Sequence, residues 1–91
     1  MTINNLSAAK GTSKGEINLQ WDSVENAVSY IIEIANTSHS KDIKWKVLDI
    51  ISESCYTVRS LKSNKDYYFR VAYVDGEGQG EPSRKIIKKA P

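Results

Sequence analysis

The feature that most constrains this 91-residue chain is an alternation of apolar and polar side chains that recurs along nearly its whole length. Ile17, Leu19 and Trp21 alternate with Glu16, Asn18 and Gln20. Tyr30, Ile32 and Ile34 alternate with Ser29, Ile31, Glu33 and Ala35; Trp45 and Val47 with Lys44, Lys46 and Leu48; Tyr56 and Val58 with Cys55, Thr57 and Arg59. The longest run sets Tyr67, Phe69, Val71 and Tyr73 against Tyr68, Arg70, Ala72 and Val74. Successive side chains of a strand point to opposite faces, so period two marks strands with one buried face. Stretches 3–8 and 82–89 also read as strands. Turn-rich segments at 10–15, 22–27, 36–42, 49–54, 62–66 and 75–81 separate them. Short strands broken by turns every ~8–12 residues predict an all-β sandwich or barrel. The one helical stripe, Val24, Ala27, Val28 and Ile31, runs into a β-branched segment without a stop signal, so 22–27 reads as a loop.

Length and composition then exclude most functions. Residues 1–91 make one domain, since domains commonly run ~100–150 residues. Two-domain enzymes and dinucleotide folds do not fit. The chain is 40% hydrophobic and 26% charged, which is ordinary globular usage. Its net charge of +2, from 13 basic and 11 acidic side chains, argues against nucleic-acid or membrane-surface partners. No apolar run is long enough to span a bilayer, and no signal-peptide pattern opens the chain. The expectation is either an intracellular protein or one module of a longer exported chain; in the second case Met1 is as readily an added start as a native one, and residues 88–91 would suit the beginning of a linker. A single Cys and a single His allow neither an internal disulfide nor a zinc site, so no cofactor or metal is expected.

Five motifs in register carry a family resemblance. They are Gly15-x-Ile17-x-Leu19-x-Trp21, the segment 26–34 with Ser29-Tyr30-x-Ile32-Glu33-Ile34, Tyr56-Thr57-Val58 with Leu61, Tyr67-x-Phe69-Arg70-Val71, and Gly78-x-Gly80-Glu81-Pro82-Ser83. Together they resemble a fibronectin type III domain. The resemblance implies a seven-stranded, immunoglobulin-like Greek-key β-sandwich, with three strands (first, second, fifth) packed on four. It also implies a tyrosine corner, in which the Tyr67 hydroxyl bonds the backbone near Leu61. The expected core is Leu6, Ala8, Ile17, Leu19, Trp21, Tyr30, Ile32, Ile34, Val47, Tyr56, Val58, Leu61, Tyr67, Phe69 and Val71, with Trp45 capping it from the sheet edge. Three departures stand out. Ser63-Asn64 replaces the family's frequent Pro-Gly turn, and Asn tolerates the left-handed backbone such a turn needs. No Pro precedes the first strand. Tyr73 occupies a position that is usually small, where it either fills core or tilts its hydroxyl to water.

Candidate chemistry is sparse. His39 lies with Ser38, Ser40 and Asp42 in one polar loop, which does not place triad partners on rigid elements, so a solvated loop is expected. Cys55 has no cationic cluster or helix end to activate it and reads as a small strand residue. The loop Asp75-Gly76-Glu77-Gly78-Gln79-Gly80-Glu81 lacks the Lys-Ser/Thr and helix of a phosphate cradle and the spacing of an EF-hand. It reads as a hairpin connection or, secondarily, a contact loop through Asp75, Glu77 and Gln79. Lys44, Lys46, Arg84, Lys85, Lys88 and Lys89 are read as edge-strand protection rather than a nucleic-acid patch. Tyr68 and Arg70, with Ile31, are expected on the outer face of the larger sheet, where cross-strand packing explains an aromatic and a long side chain as well as binding does. Tyr68, Arg70 and Trp45 are the candidate binding surface. Asn5-Leu6-Ser7 and Asn36-Thr37-Ser38 fit the glycosylation pattern, but residue usage rich in Ile, Lys and Asn suggests a bacterial source that would leave them unused.

The functional expectation is a non-catalytic spacer or protein-interaction (adhesion) module of a multidomain surface or secreted protein. It would be monomeric and meet chiefly its neighbouring domains. The alternative is a dedicated carbohydrate or protein binder using loops 22–27 and 75–81 or the face around Tyr68.

Overall fold

The computed structural model describes residues 3–36 and 43–91. The loop holding His39 therefore lies outside the described residues. Among the described residues eight strands form: β1 (Ser7–Lys10), β2 (Ile17–Gln20), β3 (Ser29–Asn36), β4 (Lys46–Ile51), β5 (Cys55–Val58), β6 (Asp66–Asp75), β7 (Gly78–Gln79) and β8 (Ile86–Lys89). One sheet has the order β1-β2-β5. The other is five-stranded, β4-β3-β6-β7, with β8 also pairing β6. Eight strands rather than seven arise because the segment 75–81, expected as a turn, contains β7, a two-residue hairpin return that pairs Val74 with Gln79 and Asp75 with Gly78. The chain then leaves the ladder and re-enters at Ile86.

The core lies between the sheets. Ile17, Leu19, Ile32, Phe69 and Val71 are fully buried, and Trp21, Tyr30, Val58, Tyr67 and Tyr73 are nearly so. Leu6, Ala8, Ile34, Tyr56 and Leu61 are half-buried against this cluster. Trp21 and Tyr30 meet edge-on, 5.4 Å between centroids. Two tyrosine hydroxyls pin the two ends of the sandwich. Tyr67 accepts the Lys62 N–H at 2.9 Å, which forms the expected corner, and Tyr30 accepts the Val24 N–H at 2.9 Å. Asn64 adopts the left-handed backbone (φ 66°) that the turn after Leu61 requires. Gly15 is fixed more tightly: its φ is 77°, and a Cβ there would lie 2.5 Å from the Leu61 carbonyl oxygen. Tyr73 fills core, and Gly80 makes room for it, since a Cβ at residue 80 would overlap the Tyr73 ring.

Strand β4 departs from expectation. Val47 is 51% exposed, and Trp45 does not cap the core. The register with β3 shifts between Ile32 and Glu33, so that Ile32 faces Asp49 while Glu33 faces Val47. This bulge turns Leu48 toward the core and leaves Trp45 and Val47 on the outer face. Periodicity puts these two on one face, and the expectation that it is the core face is corrected here.

Candidate functional site

The outer face of the five-stranded sheet is built by the residues that alternate with the core. Register places Glu33 between Arg70 and Val47, Ile31 between Ala72 and Ile50, and Tyr68 between Ala35 and Ile87. Four strands, β3, β4, β6 and β8, thus supply one continuous surface. At its centre the Arg70 guanidinium donates from Nε to Glu33 Oε1 at 3.0 Å and from Nη2 to Oε2 at 3.4 Å. The same guanidinium stacks over the Trp45 ring, 4.2 Å from its centroid. The Lys85 ammonium lies 5.8 Å from the centroid of Tyr68. The planar fork of Arg suits both contacts at once, and the pair plus the stack holds Arg70 and Trp45 in one arrangement.

Around this cluster Val47, Ile50 and Ile87 are each more than half exposed. Single exposed aliphatics are ordinary, but several on one sheet face beside Trp, Tyr and Arg are not, because those three residue types are enriched where proteins bury contacts. Of the residues singled out in sequence, Tyr68, Arg70 and Trp45 converge here. Asp75, Glu77 and Gln79 do not; they lie at one end of the sandwich, where the Glu77 N–H bonds Asp75 Oδ1 at 2.8 Å. Sequence reading missed Glu33, Val47, Ile50 and Ile87 as members of the face. Glu33 was detectable in principle, because it shares the strand phase of Ile31.

Other candidate sites hold less. Cys55 is exposed on β5 and lines an open cleft of about 540 Å³ with Gln20, Glu53, Tyr56 and Arg59. Burial chiefly, then the charge and hydrogen bond of Asp49, push the Tyr56 hydroxyl above its ordinary pKa, so it stays protonated there. Among the described residues no group of three His, Cys, Asp or Glu side chains converges as a metal site would require. The basic side chains do not form one patch on the sheet. Lys44 and Lys46 border β4, whereas Arg84, Lys85, Lys88 and Lys89 run along β8. Asn5 of the first glycosylation triplet donates to Asp22 Oδ2 at 2.7 Å.

Comparison with known proteins places these features in context. The Fibronectin type III domain pattern matches residues 2–89. A receptor-type tyrosine-protein phosphatase S of Gallus gallus is 29% identical over 96 residues, which is 98% of this chain but 6% of that protein. An Fn3-like protein from Clostridium thermocellum superimposes with a TM-score of 0.84 at 23% identity, covering all of this chain and 93% of that one. The twitchin kinase region from C. elegans contains a similar unit, with a TM-score of 0.74 at 19% identity over 90% of this chain and 15% of that one.

Proposed function

The chain belongs to the fibronectin type III family, and from that premise we propose that it serves as a non-catalytic interaction module within a larger protein, meeting a protein partner through the outer face around Trp45, Tyr68 and Arg70. The observation that carries this reading is the locked Glu33–Arg70–Trp45 cluster amid exposed Val47, Ile50 and Ile87. The modular setting is supported by the relatives: the chain spans 6% of the avian phosphatase and 15% of the twitchin region. The receptor-type name of the phosphatase supports an exported or surface parent, and the residue usage rich in Ile, Lys and Asn a bacterial one. We take the domain to be a monomer at physiological ionic strength and to bind neither nucleic acid nor membrane, in keeping with its net charge of +2.

Domain replacement in the parent protein separates an interaction module from a spacer. Exchange for an unrelated sandwich of equal length should abolish the parent's attachment, and so should Trp45→Ala/Tyr68→Ala/Arg70→Ala in an otherwise native domain. Full attachment after both changes would leave only the spacer role.

A further inference from the structure

The two ends of the sandwich carry opposite charge. At one end the loops 22–28, 52–54 and 75–81 come together, tied by Trp21 N–H to the Ser54 carbonyl at 3.1 Å and by Val28 N–H to the Val74 carbonyl at 2.7 Å. These loops contain six carboxylates, Asp22, Glu25, Glu53, Asp75, Glu77 and Glu81, and no Lys or Arg. All except half-buried Asp75 belong to exposed residues. At the opposite end the segments 10–16, 59–65 and 88–91 are laced by Leu61 N–H to Gly15 at 3.0 Å, Gly15 N–H to Pro91 at 2.9 Å and Asn64 N–H to Ala90 at 2.8 Å, all through carbonyl oxygens. They hold six lysines and Arg59 against Glu16, with Asp66, the first residue of β6, a second carboxylate at this end. Glu16 is already engaged by Arg59 at 3.3 Å.

The net charge of +2 conceals this partition. Strand β6, ten residues long, runs from one end to the other. At ~3.3 Å per residue it separates the ends by roughly 30 Å. That is several Debye lengths at physiological ionic strength, where the length is ~8 Å. The two ends therefore do not neutralise one another within a molecule, and each presents its own field to a neighbour.

We propose that the basic end of one copy docks the acidic end of a second copy, head to tail. The charge complementarity is supplied by the chain itself. Asn4, whose carbonyl accepts the Asp22 N–H, lies at the acidic end, and Pro91 at the basic end, so copies in line meet with opposite charges. Val28, 65% exposed beside the acidic loops, adds an apolar contact. A head-to-tail contact uses two different surfaces and does not close on itself, so it gives short open files rather than a symmetric dimer. Salt screens it, and it matters most where copies are held at high local concentration.

Sedimentation velocity of the whole chain at ~10 mM and ~300 mM salt tests this directly. The parent should show mass growing with concentration at low salt and a monomer at high salt. Glu25→Gln/Glu53→Gln/Glu77→Gln removes charge from the acidic end, and Lys10→Gln/Lys14→Gln/Lys62→Gln from the basic end. Each variant alone should be monomeric at low salt with circular dichroism like the parent. Mixed together they should form a one-to-one dimer, because one acidic and one basic end remain intact. A parent that stays monomeric at low salt, a variant that still self-associates, or a mixture that does not pair would each overturn the proposal.

Discussion

Replacing Gly80 by Ala isolates the compensation that lets a large side chain occupy residue 73. Tyr73 is 9% exposed within the core, and a methyl at residue 80 would overlap its ring, with Cδ1 at 2.9 Å. The Gly80 N–H also donates to the Tyr73 carbonyl at 2.8 Å, so the two backbones cannot separate without losing that bond. The ring must therefore move out of its packed position, and such overpacking costs about 1–3 kcal/mol. In urea, with a slope near ~1 kcal/mol per molar for a domain of this size, the midpoint should fall by roughly 1–3 M. The sign should reverse when Tyr73 is absent. Gly80 does not have the positive φ seen at Gly15 and Gly78. In a Tyr73→Ala background, Gly80→Ala should be neutral or stabilising by about 0.4–1 kcal/mol, through the entropy of the unfolded chain. The double-mutant cycle thus predicts coupling of more than ~1 kcal/mol between the two sites. Equal effects of Gly80→Ala in both backgrounds would show that the ring contact is not what fixes glycine there.

Three further outcomes are expected. Tyr67→Phe strands the Lys62 N–H and should cost about 1–3 kcal/mol by chemical denaturation, with Tyr30→Phe doing the same to Val24 at the other end. Trp21→Ala should cost about 3–5 kcal/mol through the cavity it leaves. Trp21→Phe should cost distinctly less, because the Trp21 Nε1–H is buried without a partner and its removal recovers part of the loss. For Tyr56, the raised pKa means that above pH ~10 the unfolded state gives up its proton before the folded state does, so stability falls as pH rises through that range. Tyr56→Phe should flatten this part of the pH–stability curve, and an unchanged slope would refute the assignment.

Much of the sandwich is legible in the sequence because β2, β3, β5 and β6 each bury one face, which stamps period two on the chain. The corner was legible through the family resemblance, with which the spacing of Leu61 and Tyr67 agrees, and the Asn64 turn from residue type. Strand β4 was misread for a definite reason. At an edge, both faces carry apolar residues, and a bulge at Leu48 changes the phase without leaving a compositional mark. The outer face was only partly legible. Tyr68 and Arg70 follow from the phase of β6, but their neighbours Glu33, Val47 and Ile87 come from β3, β4 and β8 through non-local pairing. The charged ends were hidden for a similar reason: each combines three loops that are distant in sequence.

The central claim is that Trp45 and Arg70 serve contact rather than the core. The stability of Trp45→Ala, measured by equilibrium denaturation beside Trp21→Ala, tests it most directly. Trp45 is half-buried on the outer face; its removal leaves the Glu33–Arg70 pair in place and takes away a cation–π contact worth ~0.5–2 kcal/mol. The outer-face variant should therefore lose no more than about 1–2 kcal/mol and keep a cooperative transition. A loss of about 3–5 kcal/mol, matching Trp21→Ala, would make Trp45 a core residue and remove the basis for the proposed binding face.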